Sequence, residues 1–320
     1  MAKHNILITG GLGFIGHKTA EFMQKSYNVS IVDNSTTYGT LDHRFMHWLY
    51  NQRRQKVSHC NIYNVDIAQE GLHRAFNEQA PVTVIHFASF PRQKTVAENP
   101  LIASDTMVRG LVNTLDACKQ FGTKRFVFIS SSMVYGNFDH TVTEDSQCNP
   151  IGLYGILKLT GENIVKDFCD KNSIEYVIIR PSAVYGPLDN NDRVIANFCM
   201  QALNKMVLEV KGKDEYCDFT FVDDVAKGIA RASAHEKCTN QTYNLTAGNA
   251  RKLADAAKII VDQVGSGNIE IVEKDGTMPS RSTLSIEKAK QDFGYNPQNS
   301  LEQGLEKYIQ WCKEDSVFLR

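Results

Sequence analysis

Residues 8–16 read ITGGLGFIG, and this nonapeptide restricts the chain more than any other stretch. An apolar run, NILIT at 5–9, leads into it, and a helical pattern at 14–25 leaves it. Gly10, Gly13 and Gly16 therefore fall where a buried strand turns at once into a helix. Glycine there permits a tight turn and close approach of the backbone to another group. The helix that follows points unpaired N–H groups and the positive end of its dipole at the turn, a ready cradle for a diphosphate. The next apolar run, VSIVD at 29–33, ends in Asp33, 17 residues beyond Gly16. A carboxylate at that strand end accepts hydrogen bonds from adenosine ribose hydroxyls and repels a 2′-phosphate, so the pattern favours NAD over NADP.

Strand patterns continue at about 57–61, 82–87, 125–130 and 175–180, with helical patterns between them at 69–79, 101–120 and from 152 onward. Strands alternating with helices predict an α/β fold, a parallel, doubly wound sheet covered on both faces. After Pro181 the strands shorten, and helical patterns recur at about 193–204, 223–234, 251–263 and 300–313. The expected division is a dinucleotide-binding domain over 1–180, rejoined by about 218–245, and a smaller C-terminal α/β substrate lobe over 181–320. The segment 38–56 reads as an insertion, its residues 41–56 an amphipathic helix with Phe45, Trp48 and Leu49 on one side. That face is expected to meet either the sheet or a partner.

One acid and one histidine admit two readings. Asp66, followed by Ile67, accepts a hydrogen bond from an adenine amino group while Ile67 packs on the ring, or caps a helix through Asp66-x-x-Gln69, or does both. His86 reads as a packed strand residue rather than a catalyst.

Charge and composition exclude other classes. Net charge is −1 and there is no basic run, which argues against nucleic acid or an anionic membrane as partner. No apolar run reaches the roughly 18 residues of a membrane span. Eight cysteines are scattered without CxxC or zinc-like spacing, so no metal is expected. MAKHNILITGG enters a strand at once, leaving no room for a secretory leader, and a cytoplasmic location is expected.

The decisive pair lies in LYGILK. Tyr154 and Lys158 are four apart and project from one helix face. With the G-x-x-G-x-x-G spacing, this pair resembles the extended short-chain dehydrogenase/reductase family. The resemblance runs along nearly the whole chain: ITGGLGFIG, VDNS, VDI at 65–67, HFAS at 86–89, SSSMVYG at 130–136, YGILK at 154–158, RPSAVYGP at 180–187, DFTFVDDVA at 218–226, and Arg281 in MPSRSTLSIEKAK. Within the family the chain is most similar to NAD-dependent nucleotide-sugar epimerases of the UDP-glucose 4-epimerase type.

The resemblance implies a Rossmann sheet, bound NAD and a nucleotide-diphosphate sugar as substrate. It places Gly10, Gly13, Phe14, Ile15, Gly16, Asp33, Asn34, Asp66, Ile67, Phe87 and Ala88 at the cofactor, with Tyr154 and Lys158. Tyr154 is then the acid/base at the sugar C4 hydroxyl, its pKa lowered by Lys158 and the nicotinamide. Lys158 also holds the nicotinamide ribose, and Ser131 bridges Tyr154 and the sugar oxygen. Ser132 is free to turn into the core and Ser130 to cap the strand. Lys94, Arg193 and Arg281 are candidate substrate contacts, because cations suit a diphosphate. A homodimer through helices 101–120 and 152–171 is expected on the same ground.

Extra groups separate the reactions within the family. Its 4,6-dehydratases carry Asp-Glu after the catalytic hydroxyl residue, and its decarboxylating branch uses a Glu there. This chain has Ser132 and Met133, which are neither acid nor base. The double-epimerising reductases place a Cys where Met133 stands. A 4-epimerase needs no further base, since a 4-keto sugar rotates and takes hydride back on its other face. A net nucleotide-sugar oxidoreductase is the alternative, and a cofactor-sensing scaffold a third. Ala183, Cys217 and MVRGL at 107–111 depart from the family pattern and point to an unusual sugar or nucleotide.

Overall fold

The computed structural model describes residues 4–36, 42–274, 276 and 278–314. Up to residue 181 the strands are β1 (Asn5–Thr9), β2 (Asn28–Val32), β3 (Asn61–Tyr63), β4 (Thr83–His86), β5 (Arg125–Ile129) and β6 (Glu175–Pro181). Between them lie α1 (Phe14–Met23), α2 (His43–Lys56), α3 (Leu72–Gln79), α4 (Gln93–Glu98), α5 (Pro100–Ser104), α6 (Gly110–Gln120) and α7 (Gly152–Asn172). Beyond them come β7 (Val184–Tyr185), α8 (Val194–Leu203), β8 (Val207–Lys211), β9 (Tyr216–Cys217), β10 (Thr220–Phe221) and α9 (Val222–Ala234). The last elements are β11 (Gln241–Leu245), β12 (Arg251–Lys252), α10 (Leu253–Val264), β13 (Asn268–Val272), α11 (Glu287–Phe293) and α12 (Leu301–Glu314).

Seven strands form one parallel sheet in the order β11-β6-β5-β4-β1-β2-β3. The order reverses between β1 and β4, so a crevice opens above their carboxyl ends, where open α/β sheets bind ligands. The strands are near-continuous apolar runs because both faces are covered. On one face, Ile6, Ile8 and Ile179 share a core with Met23 of α1 and Val225 of α9. On the other, Leu7, Val84 and Phe126 pack with Leu111 of α6 and Val165 of α7. β11 joins the sheet beside β6, with Tyr243 opposite Ile179.

Three sequence readings shift. The third strand lies at 61–63 rather than 57–61, because α2 runs on to Lys56, with Arg53, Arg54 and Lys56 in its last turn favouring the helix dipole. The 101–120 pattern divides into α5, a π-helical turn at Asp105–Arg109, and α6. Asp66 does not cap a helix. Its Oδ1 accepts from the Ala68 N–H at 2.8 Å, and α3 begins only at Leu72.

The insertion has a definite seat; its residues 38–41 lie outside the described residues. Phe45, Met46 and Leu49 of α2 enter a second core with Leu188, Ile195 of α8, Ile260 of α10 and Leu305 of α12. Trp48 lies 6.4 Å from Trp311 of α12, centroid to centroid. The aromatic face therefore packs on the later lobe, neither on the sheet nor on a partner as expected, because that lobe presents the matching apolar surface. Leu49 is fully buried there. Leu49→Ala is expected to lower stability by about 2–5 kcal/mol, read as a shift in the urea midpoint. A loss under about 1 kcal/mol is what a surface position gives and would contradict this packing.

Candidate active site

The glycine turn is built as its sequence dictates. Gly10 has φ +68°, and a Cβ there would lie 2.6 Å from the Ala88 nitrogen. A Cβ on Gly16 would lie 2.4 Å from the Gly10 carbonyl oxygen. The loop is thus pressed against the end of β4 on one side and the first turn of α1 on the other. Gly13 precedes α1 without any side-chain cap, which leaves the first N–H groups of the helix to a ligand. A diphosphate fits this cradle by shape and by charge.

A cavity of about 300 Å³ opens above the loop and runs along the crevice. Every residue assigned to the cofactor in the sequence lines it: Gly10, Gly13, Phe14, Ile15, Gly16, Asp33, Asn34, Asp66, Ile67, Phe87, Ala88, Tyr154 and Lys158. Asp33 is buried, which pushes its carboxyl up, although its oxygens accept from the Ser35 and Leu12 N–H groups. Asn34 donates to Asp66 Oδ2 at 3.0 Å, joining the second and third strand ends at one edge of the cavity.

Ser131, Tyr154 and Lys158 meet at its inner end. Ser131 follows β5, and its Oγ accepts from the Met133 N–H at 3.2 Å. Burial raises the Tyr154 pKa above its ordinary value, while a hydrogen bond with Ser131 and the charges of Arg193 and Arg281 act the other way. Lys158 Nζ lies 5.9 Å from the Tyr154 ring centre and donates to the Ile129 carbonyl at 2.8 Å. Burial pushes Lys158 down to about 7, with Glu162 opposing. Around the phenol, the groups that oppose burial are Ser131, then Arg193 and Arg281.

Neighbouring side chains take support positions. Ser130 donates to Glu162 Oε1 at 2.6 Å, and Ser132 to Ser182 at 3.0 Å. His86 stacks with Phe128, contacts Thr9 Oγ1 through Nδ1 at 2.9 Å, and is held near 3 by burial and then by Lys158. It is a neutral packing residue, as its strand position predicts.

The three candidate substrate cations divide. Arg193 lines the cavity, 4.0 Å from Asp189. Arg281 sits behind Ser132, with Nη1 3.5 Å from Ser132 Oγ, Nη2 3.5 Å from Cys217 Sγ, and a buried Nε lacking a partner. Lys94 does not reach the cavity. Its side chain is 81% exposed on α4, 4.0 Å from Glu98. The loop before it turns through Arg92 at φ +71°, so an offset counted from His86 does not fix the direction of Lys94. Met46, Tyr50, Arg53, Asp189 and Asn190 line the cavity without having been singled out in the sequence. Burial pushes Asp189 up to about 6, with Arg193 opposing. Only α2's amphipathic pattern hinted at any of these five.

The fold and site together define a dinucleotide-binding enzyme in whose crevice a serine, a tyrosine and a lysine meet. The chain belongs to the NAD dependent epimerase/dehydratase family, whose model matches residues 6–246. It is similar to the "Uncharacterized UDP-glucose epimerase YtcB" of Bacillus subtilis, 29% identical over 315 residues, covering 95% of this chain and 96% of that protein. It is 27% identical to the UDP-glucuronate 4-epimerase of Thermodesulfobacterium geofontis, covering 98% of each chain. A crystal structure of UDP-glucuronic acid 4-epimerase from Bacillus cereus, with UDP-glucuronic acid and NAD, superposes with TM-score 0.89 at 25% identity, covering 97% and 99% of the two chains.

The Lys158 environment has a thermodynamic consequence. The unfolded chain holds a proton on this lysine up to about 10.5, whereas the folded chain releases it near 7. Between these values the unfolded state binds more protons, so this group makes stability rise with pH. In nucleotide-free protein, melting temperature from pH 7 to about 8, below the ordinary thiol pKa of about 8.5, is expected to rise relative to a Lys158→Met variant. Parallel curves for the two proteins would show that Lys158 stays charged in the fold.

Proposed function

We propose that the chain is an NAD-dependent nucleotide-sugar 4-epimerase acting on a UDP-linked hexose or hexuronate. The observation that carries this reading is the hydroxyl pair Ser131 and Tyr154, followed by two residues that cannot titrate. Ser132 is committed to Ser182, and Met133 is buried. Elimination or decarboxylation asks for a carboxylate at that point, whereas epimerisation asks for none. The sequence similarity to named 4-epimerases over nearly the full chain supports the same reading.

In this proposal bound NAD supplies the hydride acceptor and donor at sugar C4. Tyr154 takes the proton from the C4 hydroxyl as the 4-keto sugar forms and returns it after the sugar has turned over. Ser131 holds the sugar oxygen and shares a hydrogen bond with the phenol. Lys158 holds the cofactor ribose. Arg193 and Arg281 receive the sugar diphosphate, since a guanidinium grips phosphate with two parallel hydrogen bonds. Residues 181–320 act as the substrate lobe, with 218–245 returned to the dinucleotide domain.

Two further features belong to the reading. Leu101 and Ile102 of α5, Val112 of α6 and Ile156 of α7 are exposed apolar residues on the helices expected to pair, which supports a homodimer. All eight cysteines are free, which supports a reducing, cytoplasmic setting. No helix among the described residues is long and apolar enough to cross a membrane.

Purified protein incubated with UDP-glucose, UDP-galactose or UDP-glucuronate is expected to yield the C4 epimer of one of them by NMR, without accumulation of NADH. Stoichiometric NADH in place of an epimer would assign a net oxidoreductase instead. Tyr154→Phe is expected to lower kcat by about 10²–10⁴-fold while leaving NAD bound. Unchanged turnover would remove the phenol from the mechanism. Size-exclusion chromatography of Leu101→Glu/Ile102→Glu is expected to show a monomer, where the unaltered chain runs as a dimer.

A further inference from the structure

Arg53 is among the largest fully buried side chains of the described residues, at 2% exposure. It stands on the insertion helix α2 and lines the cavity beside the glycine loop. Its guanidinium has five N–H donors. Nη1 donates to the Leu12 carbonyl at 3.2 Å, inside ITGGLGFIG. Nε and Nη2 both donate to the Leu188 carbonyl, at 3.1 and 2.8 Å, and Nη2 also reaches Asn190 Oδ1 at 2.9 Å. All of these acceptors are neutral, and one Nη1 hydrogen is left over.

The guanidinium therefore has no ion-pair partner in direct contact. Among the described residues no carboxylate lies within 4.0 Å of Arg53. Asp189 and Asp33 favour its charge from beyond contact distance, while their hydrogen bonds go to other groups. Asp33 accepts from Leu12 and Ser35, and Asp189 from the Asn190 N–H. The Tyr50 ring, 5.7 Å away, offers only a partial cation–π contact. A buried cation without a contacting counter-ion is costly. The position calls for an anion from outside the protein, and the cofactor of this family carries a doubly charged diphosphate to the same loop.

We propose that Arg53 is the cationic partner of the dinucleotide diphosphate and that, through Leu188 and Asn190, it ties the occupied glycine loop to the lobe that receives the sugar. Asn190 lies three residues before Arg193 and the start of α8, so the loop that Arg53 grips is the one that presents a substrate cation. Arg53 is a positioning residue in this scheme: it binds the cofactor and does not touch the reacting carbon.

The test uses calorimetry of nucleotide-stripped protein with NAD, ADP and adenosine, so it reads cofactor binding alone, whichever sugar the enzyme turns over. Arg53→Gln keeps a donor for the Leu188 carbonyl and removes the charge. Arg53→Lys keeps the charge and loses the fork. Arg53→Gln is expected to weaken NAD and ADP about tenfold or more, as loss of one charge-assisted phosphate contact does, and to leave adenosine unchanged. Arg53→Lys is expected to retain NAD within about threefold, a difference well under one such contact. Ligand-free Arg53→Gln is expected to melt within a few degrees of the unaltered protein. Equal losses in both variants, unchanged ADP binding in Arg53→Gln, or weakening of adenosine as much as ADP would each make Arg53 a structural brace and overturn the proposal. Should Arg53→Gln not fold, Arg53→Met, which fills the stem volume without a donor, takes its place with the same expectations.

Discussion

The ion pair between Arg180 and Glu162 sets the geometry on which the site depends. Both side chains are buried, and the pair is doubly bonded, Nε to Oε1 at 2.9 Å and Nη2 to Oε2 at 2.7 Å. Arg180 stands at the end of β6 and Glu162 in the middle of α7. Ser130, at the end of β5, donates to the same carboxylate. Tyr135 accepts from Arg180 and donates to Asn244 on β11. Three adjacent strand ends and one helix are thereby locked together. Tyr154, Lys158 and Glu162 recur every four residues, so they share one face of α7. Fixing Glu162 fixes the rotation of the helix and aims the other two at the cavity. Removing one partner from such a pair strands the other charge, at about 3–5 kcal/mol, so the pair holds orientation more than it adds stability.

That locked face explains why burial and chemistry coincide at Lys158. Its ammonium has one carbonyl for a partner and two aromatic rings for neighbours, Phe128 and Tyr154. Burial favours the neutral amine at this position, with Glu162 opposing. The field at the phenol comes instead from the two arginines that also face the proposed sugar diphosphate. Their charges oppose the burial that raises the Tyr154 pKa.

How much of this was legible in the sequence depends on how local the determinant is. The glycine loop was, because strand, turn and helix follow within a dozen residues and the sterics at Gly10 and Gly16 leave little choice. Asp33 was, since a strand end has a fixed place beside its neighbour. The 4-residue spacing of Tyr154 and Lys158 was, because a helix turns one backbone offset into one face. Lys94 was misplaced because a loop, with Arg92 at positive φ, lies between it and the strand that was its reference. Arg53 was hidden in QRRQK, where charge near a helix C-terminus is the ordinary expectation. Its burial depends on Leu12, Leu188 and Asn190, up to 137 residues distant, and no spacing within α2 encodes that. The apolar face of α2 was visible, but the surface it packs on was not, since amphipathicity gives a face without naming its complement.

The departures from the family pattern have a physical reading once the neighbours of Arg281 are known. Cys217 stands where the family pattern that the sequence resembles implies an arginine, and it offers Arg281 a thiol at 3.5 Å. Sulfur is a weak acceptor and burial keeps that thiol protonated, so Cys217 neither competes for the guanidinium nor repels it. Ser132, its other contact, is already donating to Ser182. A second arginine at 217 would share the load of an incoming diphosphate, but at the cost of like charges in a confined space. With cysteine there, Arg281 keeps a buried Nε without a partner, free for an anion of the kind proposed above.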